Sequence, residues 1–171
     1  MTSAHHPTEK SDLFHSVEAT TNRVIVGRLL PGADLIQGLE DVCDRHGVRY
    51  AAVVFAYGSL SSAGFKILQR PREGGERPVL TLERIDRRVE FLGGQGLVCR
   101  DDDEGRATHL HGCVSDQTGR VMGGHFERGL NPVYNNMDFT LHELLGVALI
   151  RRWDAQTDTV EMVVEQEVTS P

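Results

Sequence analysis

The chain predicts an α+β domain, a mainly antiparallel β-sheet with flanking helices. Short apolar and β-branched runs recur at regular spacing after Gly47, and one stretch before it, Ala33 to His46, carries apolar residues at helical intervals. The length of 171 residues suits one domain with one core and short tails.

Residues 1–21 are polar, rich in Ser, Thr, His and Glu, and read as a flexible N-terminal arm; the domain is expected over 22–167, with 168–171 as a tail. Arg23 to Leu30 is β-branched and aliphatic and stops at Pro31-Gly32, the pattern of a strand ended by a turn. From Ala33 the apolar residues Leu35, Ile36, Leu39, Val42 and Cys43 fall on one helical face, and His46-Gly47 places a cation and a glycine where a helix finishes. Val48 to Tyr57 is a nearly unbroken apolar run of strand length, which predicts a buried central strand. Further strands are expected at Ala63 to Leu68, Val79 to Ile85, Val89 to Val98, Thr108 to Ser115, Arg120 to Phe126, Val133 to Leu141, Val147 to Trp153 and Val160 to Val164.

Composition narrows the function classes. A hydrophobic share of 39% and a charged share of 25% are those of a globular protein, not of a disordered or fibrous one. No run approaches the roughly 18 apolar residues of a membrane helix, and the start of the chain, with His5, His6, Glu9, Lys10 and Asp12, lacks a secretory core, so a cytoplasmic location and no membrane partner are expected. Cys43, Cys99 and Cys113 are widely spaced and odd in number, which argues for reduced thiols. The net charge of −7 opposes nucleic-acid binding unless positive residues gather on one face. Residues 66–88 are the segment that leans the other way: Lys66, Arg70, Arg72, Arg77, Arg84, Arg87 and Arg88 outnumber Glu73, Glu76, Glu83 and Asp86, as a solvated loop or as a basic surface.

The sharpest chemical signal is a histidine trio. His109 and His111 are two apart, so on a strand both project from one face while Leu110 points to the core. Asp116-Gln117-Thr118-Gly119 has the Asp and Gly of a type I turn followed by a left-handed glycine. Such a hairpin pairs Asp116 with Arg120 and sets His125 opposite His111, on the face that also carries His109. A loop of two or four residues instead turns His125 to the other face. Three imidazoles on adjacent strands make a zinc-type site with an open position, and Zn, Ni, Cu and Fe all accept such ligands; the alternative is that the rings only hydrogen-bond. Glu127, opposite His109 in this register, is a candidate fourth ligand or a support for the ligands. Gly123 and Gly124 leave room for a ligand or a neighbouring chain to approach. Cys113 shares the histidine face and reads as a small buried hydrophobe.

Other signals are weaker. Gly93-Gly94-Gln95-Gly96 lies inside an apparent strand and reads as a bulge or a close strand crossing, not as a phosphate loop. Asn135, Asn136, Asp138, His142 and Glu143 form a polar series that either lines a cleft or subunit contact or marks a half-exposed strand. Neither a Gly-x-Ser-x-Gly elbow nor a Cys/His nucleophile pair is present.

These residues together resemble the plant-and-prokaryote-conserved (PPC) domain. Arg23 to Pro31, the helix that follows, and Ala51 to Leu60 are similar to its opening strand, helix and glycine-containing second strand, and Val89 to Gly94 to a later short strand. His109-Leu110-His111, the turn from Asp116, and Gly123-Gly124-His125 resemble its His-x-His, turn and Gly-Gly-His signature. The resemblance covers roughly residues 23–165. It implies a homotrimer with the histidines near subunit boundaries, a divalent metal, zinc foremost, on His109, His111 and His125, and a DNA-binding or regulatory role. Asn131 to Asn136 departs from the apolar residues of that pattern, and the chain has no AT-hook core. Two function classes follow: a metal-binding module acting in DNA binding or regulation, and a metal-dependent enzyme or small-ligand binder using the same histidines. A third reading makes the metal only a joint between subunits.

Overall fold

A computed structural model of the chain describes residues 15–69 and 79–167. Positions 1–14 and 168–171 of the expected arm and tail, and Arg70, Arg72 and Arg77 of the basic segment, lie outside the described residues. Among the described residues the elements run β1 (Thr20–Leu29), α1 (Leu35–Arg45), β2 (Ala51–Leu60), β3 (Ala63–Gln69), β4 (Val79–Ile85), β5 (Val89–Val98), β6 (Arg100–Asp101), β7 (His109–Ser115), β8 (Val121–Phe126), β9 (Val133–Leu145), β10 (Val147–Asp154) and β11 (Thr159–Gln166). An eight-stranded sheet has the order β1-β9-β2-β5-β7-β8-β3-β4, and a three-stranded sheet has the order β11-β10-β6. All pairings are antiparallel except the short β10–β6 contact.

Strands form near the expected positions, but β2 begins and ends three residues later than the expected Val48 to Tyr57, β6 was not expected, and three further differences stand out. The first strand begins at Thr20, inside the segment read as an arm, because Thr20 and Thr21 pair with Leu145 and Leu144. β9 runs four residues past Leu141, carried by pairing to β1 and β2 on both sides. Helical cover is the larger correction: among the described residues α1 is the only helix, so flanking helices in the plural do not occur.

α1 starts at Asp34, whose carboxylate accepts from the amides of Ile36 and Gln37, a cap contributing about 1 kcal/mol. It ends at His46, and Gly47 takes the left-handed conformation (φ +64°) that stops the helix. Its buried stripe of Leu35, Ile36, Leu39 and Cys43 packs on the inner sheet face, against Ile25, Leu29, Val53, Ala56, Met137, Phe139 and Leu141. A Cβ at Gly38 would strike the Leu29 side chain, so glycine there sets how closely the helix approaches β1.

Among the described residues the opposite face of the sheet carries no helix. Val24, Val26, Phe55 and Tyr57 alternate with the core residues of β1 and β2 and are exposed, Val26 by 73%. The histidine face of β7 and β8 continues this outer surface: Leu110, Val114 and Phe126 are buried within, while His111 pairs with Gln95 on one side and His125 on the other. The small sheet packs through a second core of Tyr50, Cys99, Val147 and Leu149 and brings β10 alongside the histidines.

Candidate metal centre

The hairpin that carries the trio has the register expected from its turn. His111 is the direct partner of His125 and Ser115 that of Val121. The amide of Asp116 donates to the carbonyl of Arg120 at 3.0 Å, that of Gly119 donates to Asp116 at 2.9 Å, and Gly119 is left-handed at φ +80°. The Asp116 carboxylate locks the turn by accepting from the Thr118 amide and hydroxyl, the Arg120 amide and the Arg87 guanidinium. These bonds, led by the Thr118 hydroxyl and then Arg87, hold its pKa well below the usual carboxylate range.

The three imidazoles therefore converge. One ring nitrogen from each of His109, His111 and His125 lies within 4.8 Å of the others. The Nε2 atoms of His109 and His111 are 2.9 Å apart, and ring centroids are separated by 4.6 to 5.3 Å. Nitrogens bound to a tetrahedral zinc at about 2.0–2.1 Å stand roughly 3.4 Å from one another, a spacing this cluster brackets. Burial, and behind it the positive charge of Arg151, pushes His109 down to about 4. Burial and the neighbouring His111 do the same for His125, also to about 4. Both rings are thus neutral at ordinary pH, the form in which imidazole is a ligand. Spacing and donor chemistry fit a divalent ion.

Glu127 lies just beyond β8, where its Oε1 is 3.6 Å from His125 Nε2 and 2.9 Å from the Lys66 ammonium. It stands beside His125 as a charge-balanced neighbour of the trio. Asn131, fully buried, braces this end of the site: its side chain accepts from the Gly64 amide and donates to the carbonyls of Gly64 and Glu127, while its backbone amide donates to the Asp34 cap. The asparagine that departs from the family pattern thus ties helix, β3 and the histidine hairpin together.

Two residues of the site escaped the sequence reading. Arg151, on β10, donates from Nη1 to His109 Nδ1 at 2.9 Å. It is 42 positions from its partner and sits in an ordinary strand pattern, so only the packing of the second sheet reveals it. Lys66 was legible as a basic residue, but its place beside His125 depends on the β3–β8 pairing.

Of the other expectations, the bulged crossing at Gly93 to Gly96 is found and others are corrected. Cys113 is exposed, not a buried hydrophobe, and with Gly93, Gln95, His111, Gly112, Val121, Met122, Gly123 and Gly124 it lines an open cleft of about 520 Å³. A Cβ at Gly123 would collide with the Gly112 carbonyl and one at Gly124 with the Lys66 carbonyl, so these glycines admit the chain's own neighbouring strands. Gly94 and Gly96 similarly meet β7, and the register shifts between Phe91 and Gly93, as a bulged crossing requires. In the polar series, Glu143 is buried against Arg23 and Asn22, and Asp138 pairs with exposed Arg28, so both stabilise strands at a distance from the histidines. Arg87 binds Asp116 and Arg88 stacks over Tyr134, which assigns these members of the basic segment to intramolecular contacts.

Fold and site define a mainly antiparallel α+β domain with three convergent imidazoles on the sheet face opposite its helix. The profile of the Plants and Prokaryotes Conserved (PCC) domain matches residues 16–145, and the chain belongs to that family. Its fold is similar to that of a metal-containing protein of Archaeoglobus fulgidus (TM-score 0.73, 21% identity, 88% of this chain and 99% of that one). A plant- and prokaryote-conserved protein of Pyrococcus horikoshii (TM-score 0.70, 16% identity, 92% and 100%) shares it too. So does a candidate DNA-binding protein of Ralstonia eutropha (TM-score 0.62, 20% identity, 83% and 90%). Among curated sequences, the bifunctional protein GlmU of Synechococcus sp. strain JA-3-3Ab is 31% identical over 151 residues, 87% of this chain. The chain spans about a fifth of that relative's length, 22%.

Proposed function

We propose that this chain is a metal-binding PCC-domain protein that holds one divalent ion, zinc foremost, on His109, His111 and His125. The observation that carries the reading is the trio itself, three ring nitrogens within 4.8 Å on the outer sheet face, two of them on rings held neutral by burial. An ion held by three imidazoles keeps an open position and supplies a Lewis acid there. Around it, β7 and β8 set the rings, Lys66 and Glu127 flank His125, and the cleft beyond His111 gives access. The metal-containing relative from Archaeoglobus fulgidus is consistent with the reading. Assembly as a homotrimer belongs to it as well, supported by the exposed apolar residues Val26, Phe55 and Tyr57 on one sheet face, a patch of the kind that subunit contacts cover. An intracellular location fits three free cysteines. Among the described residues no helix is long and apolar enough to cross a membrane.

Metal content of purified, untagged protein is the test, comparing wild type with His109→Ala, His111→Ala and His125→Ala. Near-stoichiometric metal that disappears in each variant supports the site; no metal after reconstitution of a folded wild type refutes it.

A DNA-binding or regulatory role is the second reading, favoured by the Ralstonia eutropha relative and opposed by the net charge of −7 and by the internal pairing of Arg87 and Arg88. Duplex binding that weakens steeply with salt supports it, and no binding at low salt removes it.

A further inference from the structure

Arg151 is the least compensated cation near the histidines. Its side chain is half-buried, yet it makes no ion pair with any described residue, and its close contact is the ring nitrogen His109 Nδ1, at 2.9 Å. A half-buried guanidinium with five donors and a single ring acceptor is costly to hold in place, and such groups persist where a ligand satisfies them.

The same contact bears on the use of His109 as a ligand. Guanidinium only donates, so Nδ1 accepts, and the neutral ring carries its proton on Nε2, facing His111 Nε2. Ligation through Nε2 moves that proton to Nδ1, which then has no lone pair for Arg151. Ligation through Nδ1 takes the same lone pair directly. Either way the Arg151–His109 bond and the ligand role of His109 exclude each other.

Resting on the metal reading above, we infer that Arg151 is the anion-binding arm of this site. Once His109 is ligated, the guanidinium is released beside the histidines and grips the carboxylate or phosphate group of a small-molecule ligand. Planar, two-pronged recognition of such oxyanions is what arginine does best. Among the described residues Glu127 is engaged by Lys66, and Glu161, the carboxylate that acts on Arg151, forms no ion pair with it. The half-buried position favours a compact anion over a polymer backbone.

Wild type and Arg151→Met are to be loaded with zinc, their metal content measured by mass spectrometry, and the binding of inorganic phosphate and of acetate followed by calorimetry. The inference expects about one equivalent of metal in both proteins, zinc affinity in Arg151→Met equal to or above wild type, and at least one of the two anions bound by wild type and weakened tenfold or more in the variant. The same oxyanion affinity in both proteins, or neither anion bound by metal-loaded wild type, overturns it. So does a loss of zinc affinity in a folded Arg151→Met, because the arginine then supports the ligands instead of competing with them. Displacement of bound phosphate by a mixed-sequence DNA duplex identifies backbone phosphate as the occupant and overturns the small-molecule assignment. A folded wild type that takes no zinc defeats the metal reading first, and the inference with it.

Discussion

His111 and His125 are direct cross-strand partners, and the turn that makes them so is held by one carboxylate, that of Asp116. Side chains in a strand alternate between faces, so a slip of one residue would send His125 to the interior and Phe126 to the surface. Gly119 is the hinge of this arrangement. A β-branched residue at its φ of +80° is strained, and Gly119→Val is expected to cost about 1–2 kcal/mol and to weaken metal binding, with Gly119→Asn recovering most of both. Urea unfolding alongside metal titration checks this; equal stability of the Val variant would show that the turn does not set the register.

Asp116 also predicts an acid dependence. Its folded pKa is depressed, so its stabilisation is complete above its unfolded value near 4 and is lost as pH falls through that range toward the folded value. Asp116→Asn should therefore be less stable than wild type at pH 6, and the difference should narrow by pH 3. Denaturant midpoints at the two pH values decide the matter, and a gap independent of pH would mean the carboxylate charge is irrelevant.

Asn131 should be intolerant of replacement. Asn131→Leu removes partners from the Gly64 amide and from the carbonyls of Gly64 and Glu127 in a buried setting. At about 1–3 kcal/mol for each buried group left unsatisfied, a loss of at least about 3 kcal/mol is expected. Metal affinity should fall too, because the chain from His125 to Glu127 loses its anchor. An unfolding free energy within about 1 kcal/mol of wild type would contradict this account.

Proton release on metal binding reports the state of the rings. Three independent imidazoles with the ordinary value near 6.5 would release close to three protons per ion at pH 5.5. His109 and His125, both pushed down to about 4, are already neutral there, so no more than about one proton is expected. Calorimetry in buffers of different ionisation enthalpy counts these protons, and a count near three would show that the rings are not held neutral.

Much of the fold and of the site was legible because it depends on local rules. Alternation placed Leu110 inside and His109 and His111 outside, and the Asp and Gly of one turn supplied the register that adds His125. The helix followed from spacing alone, although its Asp34 cap also serves Asn131, a link spanning 97 positions that no local pattern shows. Cys113 was misread because alternation reports which face a residue takes, not whether anything covers that face.

The sequence by itself determined the strand and helix succession, the histidine hairpin and the family signature, since propensity, period and turn chemistry act over a few residues. Only the tertiary structure decided that, among the described residues, one helix covers one face of the sheet and the histidines lie on the other. It also decided that β10 carries Arg151 to His109, that β3 carries Lys66 to His125, and that Asn131 anchors the end of the site. These are contacts between residues far apart in the chain, set by the order in which strands assemble into sheets, and strand order leaves no periodic trace in the residues that obey it.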